Sequence, residues 1–318
     1  MPEGDRGSSR RSDPLRIAVL VDKPDWHARR LIKAFAARGT EALPVPLQAC
    51  EFTTESQVGL ALPGFEERLP DGVFVRCVPG GSFEQVTRRL GILHALDHLG
   101  VPLCNDARAI ERCVDKSMTT FLLEQAGIPT PETWTCEGED EAREILRRET
   151  QAGHRLVLKP LFGSQGRGLR LLEGPDDLPS AEDMAGVFYL QRFVAGASEG
   201  WQDWRIMVAN GRPVAAMARR GVQWITNRHQ GAECAKAPLE EPLASLASGA
   251  ARAVGAAYTG VDVIRDRAGQ YYVLEVNSMP AWSGLQQVNE VDVTQALADA
   301  LLALLPTKTP AQHEASGA

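Results

Sequence analysis

The chain has 318 residues, of which 44% are apolar and 24% are charged, as in ordinary globular proteins. Its formal net charge of −7 argues against nucleic-acid or membrane partners, because general affinity for them needs a basic surface. The six cysteines have neither the spacing of a zinc knuckle nor that of a disulfide framework. We therefore expect a cytoplasmic protein of two or three lobes that acts on small molecules.

The first part of the chain alternates between predicted strands and helices. Residues 1–15 lack an apolar core and are predicted to be a disordered leader. "RIAVLV" predicts a strand, "DWHARRLIKAFAARG" a helix that ends near Gly39, and "GVFVRC" another strand. A helix from Ser82 to Leu99 is predicted to begin with a Ser82–Gln85 capping box and to end at Gly100. Residues 16–105 thus predict an α/β domain with a parallel sheet.

Two α+β lobes are predicted to follow, at residues 106–194 and 195–306, with a polar tail at 307–318. The second lobe contains the helix "DKSMTTFLLEQAG" and the strands "HRLVLKP" and "VFYLQRFV". The third lobe contains a hairpin, "WRIMVANGRPVAAMARR", that turns at Asn210–Gly211, and it ends in a helix at 292–305.

The segment "GVDVIRDRAGQYYVLEVN" predicts a second hairpin that carries acids on one face. A tight turn centred on Ala268–Gly269 places Asp262 opposite Glu275, with Asn277 on the same face. Two like charges in that position destabilise a strand pair, so a cation should lie between them. Oxygen donors without cysteine or histidine suit Mg²⁺ or Mn²⁺. A solvated acidic face, or one neutralised by arginine, is the alternative.

The segment "LVLKPLFGSQGRGLRLL" places Lys159 at the end of an apolar strand, before a glycine-rich loop and a second strand. The glycines allow backbone N–H groups to approach phosphate oxygens closely. The loop lacks the ending of a Walker motif and precedes a strand, so neither a P-loop nor a Rossmann site is indicated. A purely structural hairpin loop is the alternative.

Taken together, these motifs resemble the ATP-grasp superfamily, and in particular its branch of RimK-like α-L-glutamate ligases. The resemblance covers residues 75–286, and it is carried in one order by "VLKPLFGSQGRGL", "YLQRFV", "DWRIMVANGRPVAAMARR", "TNRHQGA" and "VLEVNSMP". It implies an ATP-grasp fold, in which a central lobe with a phosphate lid and a C-terminal lobe with a metal site clamp ATP.

The resemblance also implies roles for individual residues. Lys116 and Lys159 contact the nucleotide phosphates, and a lid closes over them, formed by Gly163, Ser164, Gln165, Gly166, Arg167 and Gly168. The hinge, Gln191, Arg192, Phe193 and Val194, pairs with adenine through backbone groups. Asp262, Glu275 and Asn277 bind two magnesium ions, with Glu275 bridging them. Arg219, Arg205 and Asn227 act near the transferred phosphoryl group and the acyl centre.

The two arginines raise a question of strand parity. A strict two-residue turn at Asn210–Gly211 would place Arg205 and Arg219 on opposite faces of the hairpin. Either a bulge restores the parity or only one arginine points into the site, and Arg219 is then the better candidate.

The implied activity is an ATP-dependent carboxylate–amine ligase that forms an amide through an acylphosphate, with glutamate as the amine. A small-molecule kinase on the same scaffold and an inactive ATP-binding regulator are the alternatives. The acceptor is a protein C-terminus, a carrier-bound amino acid or a pterin-like cofactor, and four tryptophans favour the last. Ile225 and Ala232 depart from the family pattern on the acceptor side, and Arg76 with the "PGGS" turn is the candidate contact from the first lobe. A homo-oligomer is left open.

Overall fold

The computed structural model describes residues 14–163, 166–196, 200–228 and 231–306. The predicted leader and tail thus lie almost entirely outside the described residues. No helix in the described ranges is long and apolar enough to cross a membrane.

The first sheet is parallel, as predicted. Its region contains β1 (Arg16–Leu20), α1 (Trp26–Ala36), β2 (Glu41–Val45), a short ribbon of β3 (Glu51–Phe52) and β4 (Leu60–Ala61), β5 (Gly72–Val75), α2 (Phe83–His98) and β6 (Leu103–Cys104). The strand order is β2-β1-β5-β6. β1 and β5 are buried almost throughout, because helices cover both faces of a parallel sheet. The predicted capping box of α2 is confirmed, with Ser82 as the N-cap residue.

The second sheet is antiparallel and has the order β7-β10-β8-β9. Its region contains α3 (Ala107–Val114), α4 (Lys116–Gln125), β7 (Thr133–Cys136), α5 (Glu139–Gln151), β8 (Leu156–Lys159), β9 (Arg170–Leu172) and β10 (Phe188–Arg192). α5 covers one face of this sheet with Ala142, Ile145 and Leu146, which belong to a separate small core.

The third sheet has five antiparallel strands in the order β13-β12-β11-β14-β15. Its region contains β11 (Trp201–Ala209), β12 (Arg212–Gly221), β13 (Glu233–Ala237), α6 (Leu243–Val254), β14 (Tyr258–Arg265), β15 (Tyr271–Asn277), α7 (Ser283–Val288) and α8 (Val293–Leu302). α6 packs on one side of this sheet. α8 packs against α1 and joins the cores of the first and third sheets.

A β-bulge settles the parity of the first hairpin. Asn210 and Gly211 both have positive φ, at 47° and 70°, as a type I′ turn requires. Met207 lies opposite Ala215, but Val208 lies opposite Pro213, so the strand pair contains one extra residue on β12. The shift brings residues 205 and 219 to the same face of the sheet.

The acidic hairpin pairs Asp262 with Glu275, as predicted. The predicted two-residue turn is wrong, because Asp266 closes the turn by accepting a hydrogen bond from Gly269 N–H (3.1 Å) and donating one to Gln270 O (2.9 Å). This longer turn shifts the register by one residue. A bulge between Asp262 and Val263 shifts it back, so the acidic pair is preserved.

Candidate active site

A cleft of about 770 Å³, including its open mouth, lies between the second and third sheets. We call it the central cleft. Ten residues predicted from the sequence line it: Lys159, Gly166, Gln191, Arg192, Phe193, Val194, Arg219, Asn227, Asp262 and Glu275. Apolar side chains and a few charged groups line it together, as is typical of small-molecule sites. Predicted residues from distant parts of the chain thus meet at one place.

Two arginines and two aspartates form a buried ladder across β12, β11 and β14. Arg219 donates to Asp203 (2.7 Å) and lies 3.0 Å from Asp262. Arg205 also donates to Asp262 through two nitrogens, one of them at 2.7 Å. Both guanidinium groups therefore reach Asp262, which answers the parity question in favour of a bulge. Arg219 lines the central cleft, and Arg205 bonds the lining residue Asp262.

Burial and charge act in opposite directions on these two aspartates. Burial disfavours the ionised form of Asp262, but Arg205 and Arg219 outweigh it and hold the pKa of Asp262 below its usual range. Burial raises the pKa of Asp203, although Arg219 bonds both of its oxygens. Asp262 is only 6% exposed, so the alternative of a solvated face is wrong for this residue. The alternative of neutralisation by arginine is confirmed for it, through Arg205 and Arg219.

Glu275 and Asn277 continue the acidic face along β15. The Glu275 carboxylate is half-buried, and no hydrogen bond from another described residue reaches it. Asn277 donates from Nδ2 to Gly260 O (3.4 Å), which leaves its amide oxygen for another partner. Within the ranges that the structure describes, no three His, Cys, Asp or Glu side chains converge on a point. Two carboxylates and an amide oxygen remain a donor set that suits a hard divalent cation.

The lysines carry the positive charge opposite Glu275. Lys159 donates to Gln191 Oε1 (2.6 Å) and lies over the ring of Tyr189. Burial lowers the pKa of Lys159 to about 8, against the attraction of Glu275. Lys116 donates to the carbonyl oxygens of residues 161 and 163, both at 3.1 Å, and burial lowers its pKa as well. Lys116 thus fixes the start of the glycine-rich loop.

The described part of that loop needs glycine at specific positions. Gly166 and Gly168 have positive φ, at 69° and 74°, and a Cβ atom at Gly168 would lie 2.7 Å from Pro160 Cγ. Arg167 is exposed. Ser164 and Gln165, which we predicted to belong to the phosphate lid, lie outside the described residues.

The hinge directs one side chain away from the cleft. Arg192 pairs with the buried Glu149 (2.7 Å) and with Glu132 (2.9 Å) on the outer side of the sheet. The backbone N–H of Val194 has no acceptor among the described residues. This arrangement agrees with a hinge that recognises its ligand through backbone groups. The side chain of Arg192 then makes no contact with the ligand.

Comparison with known proteins identifies the family. The model of the RimK-like ATP-grasp domain matches residues 113–301. The chain belongs to the RimK-like ATP-grasp family. It is 34% identical over 296 residues to the tetrahydromethanopterin:α-L-glutamate ligase of Methanococcus maripaludis, with 91% of this chain and 98% of that protein covered. It is 30% identical to a probable α-L-glutamate ligase of Trichodesmium erythraeum, with 88% and 92% covered.

Solved structures agree on the fold. The ATP-grasp ligase PsnB in complex with a minimal precursor superposes with a TM-score of 0.71 at 22% identity, covering 92% of this chain and 100% of that one. The same ligase is also known with Mg and ADP. The RimK-like chain therefore has an ATP-grasp fold, and its relatives show it to be a carboxylate–amine ligase, as the sequence predicted.

Sequence reasoning missed two polar residues of the central cleft. Asp203 bonds Arg219 and lines the central cleft, as does Thr226, which interacts with Asp203. The signal for Asp203 was present, because it lies two residues before Arg205 on one strand and therefore faces the same side. His229, in the motif "TNRHQGA", lies outside the described residues.

The four tryptophans do not form one wall. Trp201 and Trp224 pack edge-on against Phe193 at the hinge end of the central cleft. Trp204 packs on Tyr271, and Trp282 is fully buried and donates to Thr294 Oγ1 (3.1 Å). The tryptophans therefore give no support to a flat acceptor.

Proposed function

We propose that this RimK-like ligase couples ATP cleavage to the joining of L-glutamate, through its amino group, to a substrate carboxylate in the cytoplasm. The observation that carries the proposal is that Lys159, Arg219, Asp262 and Glu275 line the central cleft together. Arg205 bonds the lining residue Asp262, and Lys116 bonds the start of the glycine-rich loop. Relatives named as glutamate ligases supply the identity of the amine.

In this proposal ATP lies along the cleft with its adenine at the hinge. The backbone N–H of Val194 is a donor for the adenine ring, and Trp201 and Trp224 surround Phe193 beside it. Lys159 and Lys116 are placed for the phosphates, which would restore the full charge of Lys159 by adding negative charge near it. The glycine-rich loop would close over the phosphates with its backbone N–H groups.

Asp262, Glu275 and Asn277 are the residues that would hold Mg²⁺ or Mn²⁺, and we propose that two ions bind. When bound, these ions supply charge neutralisation of the phosphate oxygens during an in-line transfer. Asp262 is also bonded by Arg205 and Arg219. The same carboxylate orients the arginines and would also contribute an oxygen to the cation site.

The reaction needs positioning and charge stabilisation by the protein rather than a nucleophilic side chain. The bond between the γ-phosphorus and ADP breaks as the substrate carboxylate oxygen bonds that phosphorus. The glutamate amine, having lost one proton, then attacks the acyl carbon, and phosphate leaves as the amide forms with loss of a second proton. Arg219 and Arg205 lie where they can stabilise the charge on the phosphoryl group and on the tetrahedral oxyanion, and Asn227 lines the same wall.

A pterin-like acceptor is favoured by the tetrahydromethanopterin ligases among the relatives. The test is a screen of pterin carboxylates, amino-acid carboxylates and peptide C-termini with ATP, magnesium and L-glutamate. ADP release is measured, and mass spectrometry looks for the addition of a glutamyl residue. A phosphorylated product without amine would instead support a kinase, and no ADP with any pair would support a regulator.

Two variants test whether the activity depends on the central cleft. Glu275→Ala is expected to abolish formation of the amide while circular dichroism and the melting temperature show a folded protein. Glu290→Ala is the matched control, because that side chain is 93% exposed on the surface. Full activity in Glu275→Ala would refute the proposed site.

A further inference from the structure

The strand order of the first sheet points to a second place for a ligand, at the carboxyl ends of β1 and β5. In the order β2-β1-β5-β6 the chain leaves β1 toward one edge of the sheet and continues from β5 toward the other. Parallel sheets bind ligands at such a reversal, beyond the carboxyl ends of the two central strands. The residues that follow these strands are 21–25 and 76–81, and we call the place between them the switch-point crevice.

Arg76 begins the second of these segments, and its guanidinium group has few partners. Its side chain is only 12% exposed. Its NH1 donates to Met279 O (3.3 Å), its NH2 lies 3.5 Å from Asp25 Oδ2, and its face lies on Trp282. Its Nε is buried without a hydrogen-bond partner in the part of the chain that the structure describes. A guanidinium group offers five N–H donors, so this one is poorly satisfied.

The neighbouring histidine, His27, does not supply an acceptor for the unpaired donors of Arg76. His27 Nε2 accepts a hydrogen bond from Trp282 N–H (3.2 Å), so the ring hydrogen is on Nδ1, which faces Asp25 Oδ2 (2.9 Å). Arg76 NH2 lies 3.4 Å from the same Nδ1, but both nitrogens are donors, so they form no hydrogen bond with each other. Asp25 already accepts from Ala28 N–H (2.8 Å) as the N-cap of α1. The cation at Arg76 is thus only partly neutralised by the protein.

The segment that Arg76 contacts begins just after the acidic face of β15. Met279, whose carbonyl Arg76 bonds, is two residues beyond Asn277. Arg228, which follows the cleft residue Asn227, reaches the other side of the same segment by donating to Ser283 Oγ (2.9 Å). A ligand on Arg76 would therefore lie beside the acidic end of the cleft, where the proposed acylphosphate forms.

We infer that the switch-point crevice is a carboxylate subsite, in which Arg76 anchors a substrate carboxylate other than the one that becomes phosphorylated. The inference rests on the proposed function for its reaction. A carboxylate supplies two acceptor oxygens and one negative charge, which are the groups that the buried guanidinium lacks. The carboxylate belongs either to L-glutamate or to the acceptor, and the kinetic test separates the two sources.

The test compares Arg76→Met, Arg76→Lys and Arg38→Gln with the wild type. Loss of a charge-assisted hydrogen bond predicts a rise of about 10- to 100-fold in the KM of one carboxylate substrate in Arg76→Met. Arg76→Lys should recover part of this loss, and the KM for ATP should not change. A rise for L-glutamate alone places its carboxylate in the crevice, and a rise for the acceptor alone places the acceptor's carboxylate there. Arg38 pairs with Asp299 on the far side of α1 and serves as the control.

The melting temperature of Arg76→Met distinguishes a binding role of Arg76 from a structural one. Replacing a poorly paired buried cation by an apolar side chain of similar size is neutral or stabilising, so Arg76→Met should melt at the wild-type temperature or above it. A lower melting temperature with unchanged KM values for both substrates would overturn the inference, as would unchanged KM values with unchanged melting.

A binding measurement does not depend on turnover. Saturation-transfer NMR with L-glutamate, glutarate and the neutral glutaramide should show binding of the two carboxylates to the wild type, and none to Arg76→Met. If the wild type binds carboxylates through Arg76 but forms no amide with any acceptor, the proposed function fails and the subsite stands. If neither these carboxylates nor the acceptor carboxylate from the kinetic test binds the wild type, or if binding survives in Arg76→Met, the subsite fails.

Discussion

Lys159 predicts a specific pH dependence for nucleotide binding. Burial lowers its pKa to about 8 in the free protein, so about half of these side chains are uncharged at that pH. Bound phosphates would favour the charged form. ATP affinity should therefore fall above the pKa, by about 20-fold between about pH 7.5 and about pH 9.5, because each binding event must then take up a proton. Phosphate itself is fully ionised in this range, since its second pKa is about 6.

Calorimetric titration with ATP and magnesium across this range measures the affinity, and repetition in two buffers of different ionisation enthalpy measures the proton uptake. Lys159→Arg is the control, because arginine stays charged and should give a flat profile. The free energy of unfolding should rise with pH between about 8 and about 10.5, since the unfolded chain then binds more protons than the folded one. An ATP affinity in the wild type that is constant over the range, without proton uptake, would refute the role of Lys159.

Three further substitutions test the residues that hold the central cleft in place. Asp203→Ala should lower the free energy of unfolding by about 3 kcal/mol in urea denaturation, because Arg219 loses its best buried partner; wild-type stability would contradict the ladder. Arg192→Met should raise the KM for ATP several-fold and leave kcat unchanged, because it loosens the hinge from outside; a changed kcat with an unchanged KM would argue against this. Gly168→Ala should lower the melting temperature more than Gly163→Ala, since its new Cβ meets a proline at 2.7 Å rather than 3.6 Å; equal melting would contradict the packing of the loop.

The acidic hairpin shows what periodicity alone can predict. Alternation along β15 was sufficient to place Glu275 and Asn277 on one face, and the predicted opposition of Asp262 and Glu275 is confirmed. The turn was predicted incorrectly, and the error had no effect, because a longer turn and a bulge next to Asp262 cancel. The bulge belongs to the strand pair, so this compensation cannot be read from either strand by itself.

The positions of Arg205 and Arg219, by contrast, could not be predicted from periodicity. The motif pointed to Arg205 and Arg219, but a regular hairpin would have separated them, and only the bulge at residues 207 and 208 brings both to Asp262. A bulge is a property of two paired strands, so a single sequence contains little signal for it. The family motif was informative here because it records the outcome of the pairing.

The segment after β15 explains why the phosphoryl chemistry was easier to predict than the acceptor. Glu275 and Asn277 lie within a local alternating pattern, and their role follows from neighbours on the same hairpin. Two residues later, Met279 contacts Arg76, which lies 203 positions away in the sequence. The contact exists because the first and third sheets pack together, through α8 on α1 and through Asn105, which donates to Ser278 O (2.6 Å). Specificity for the second substrate therefore depends on how the lobes are assembled, and substitutions in the first lobe should change the substrate without disturbing the binding of ATP.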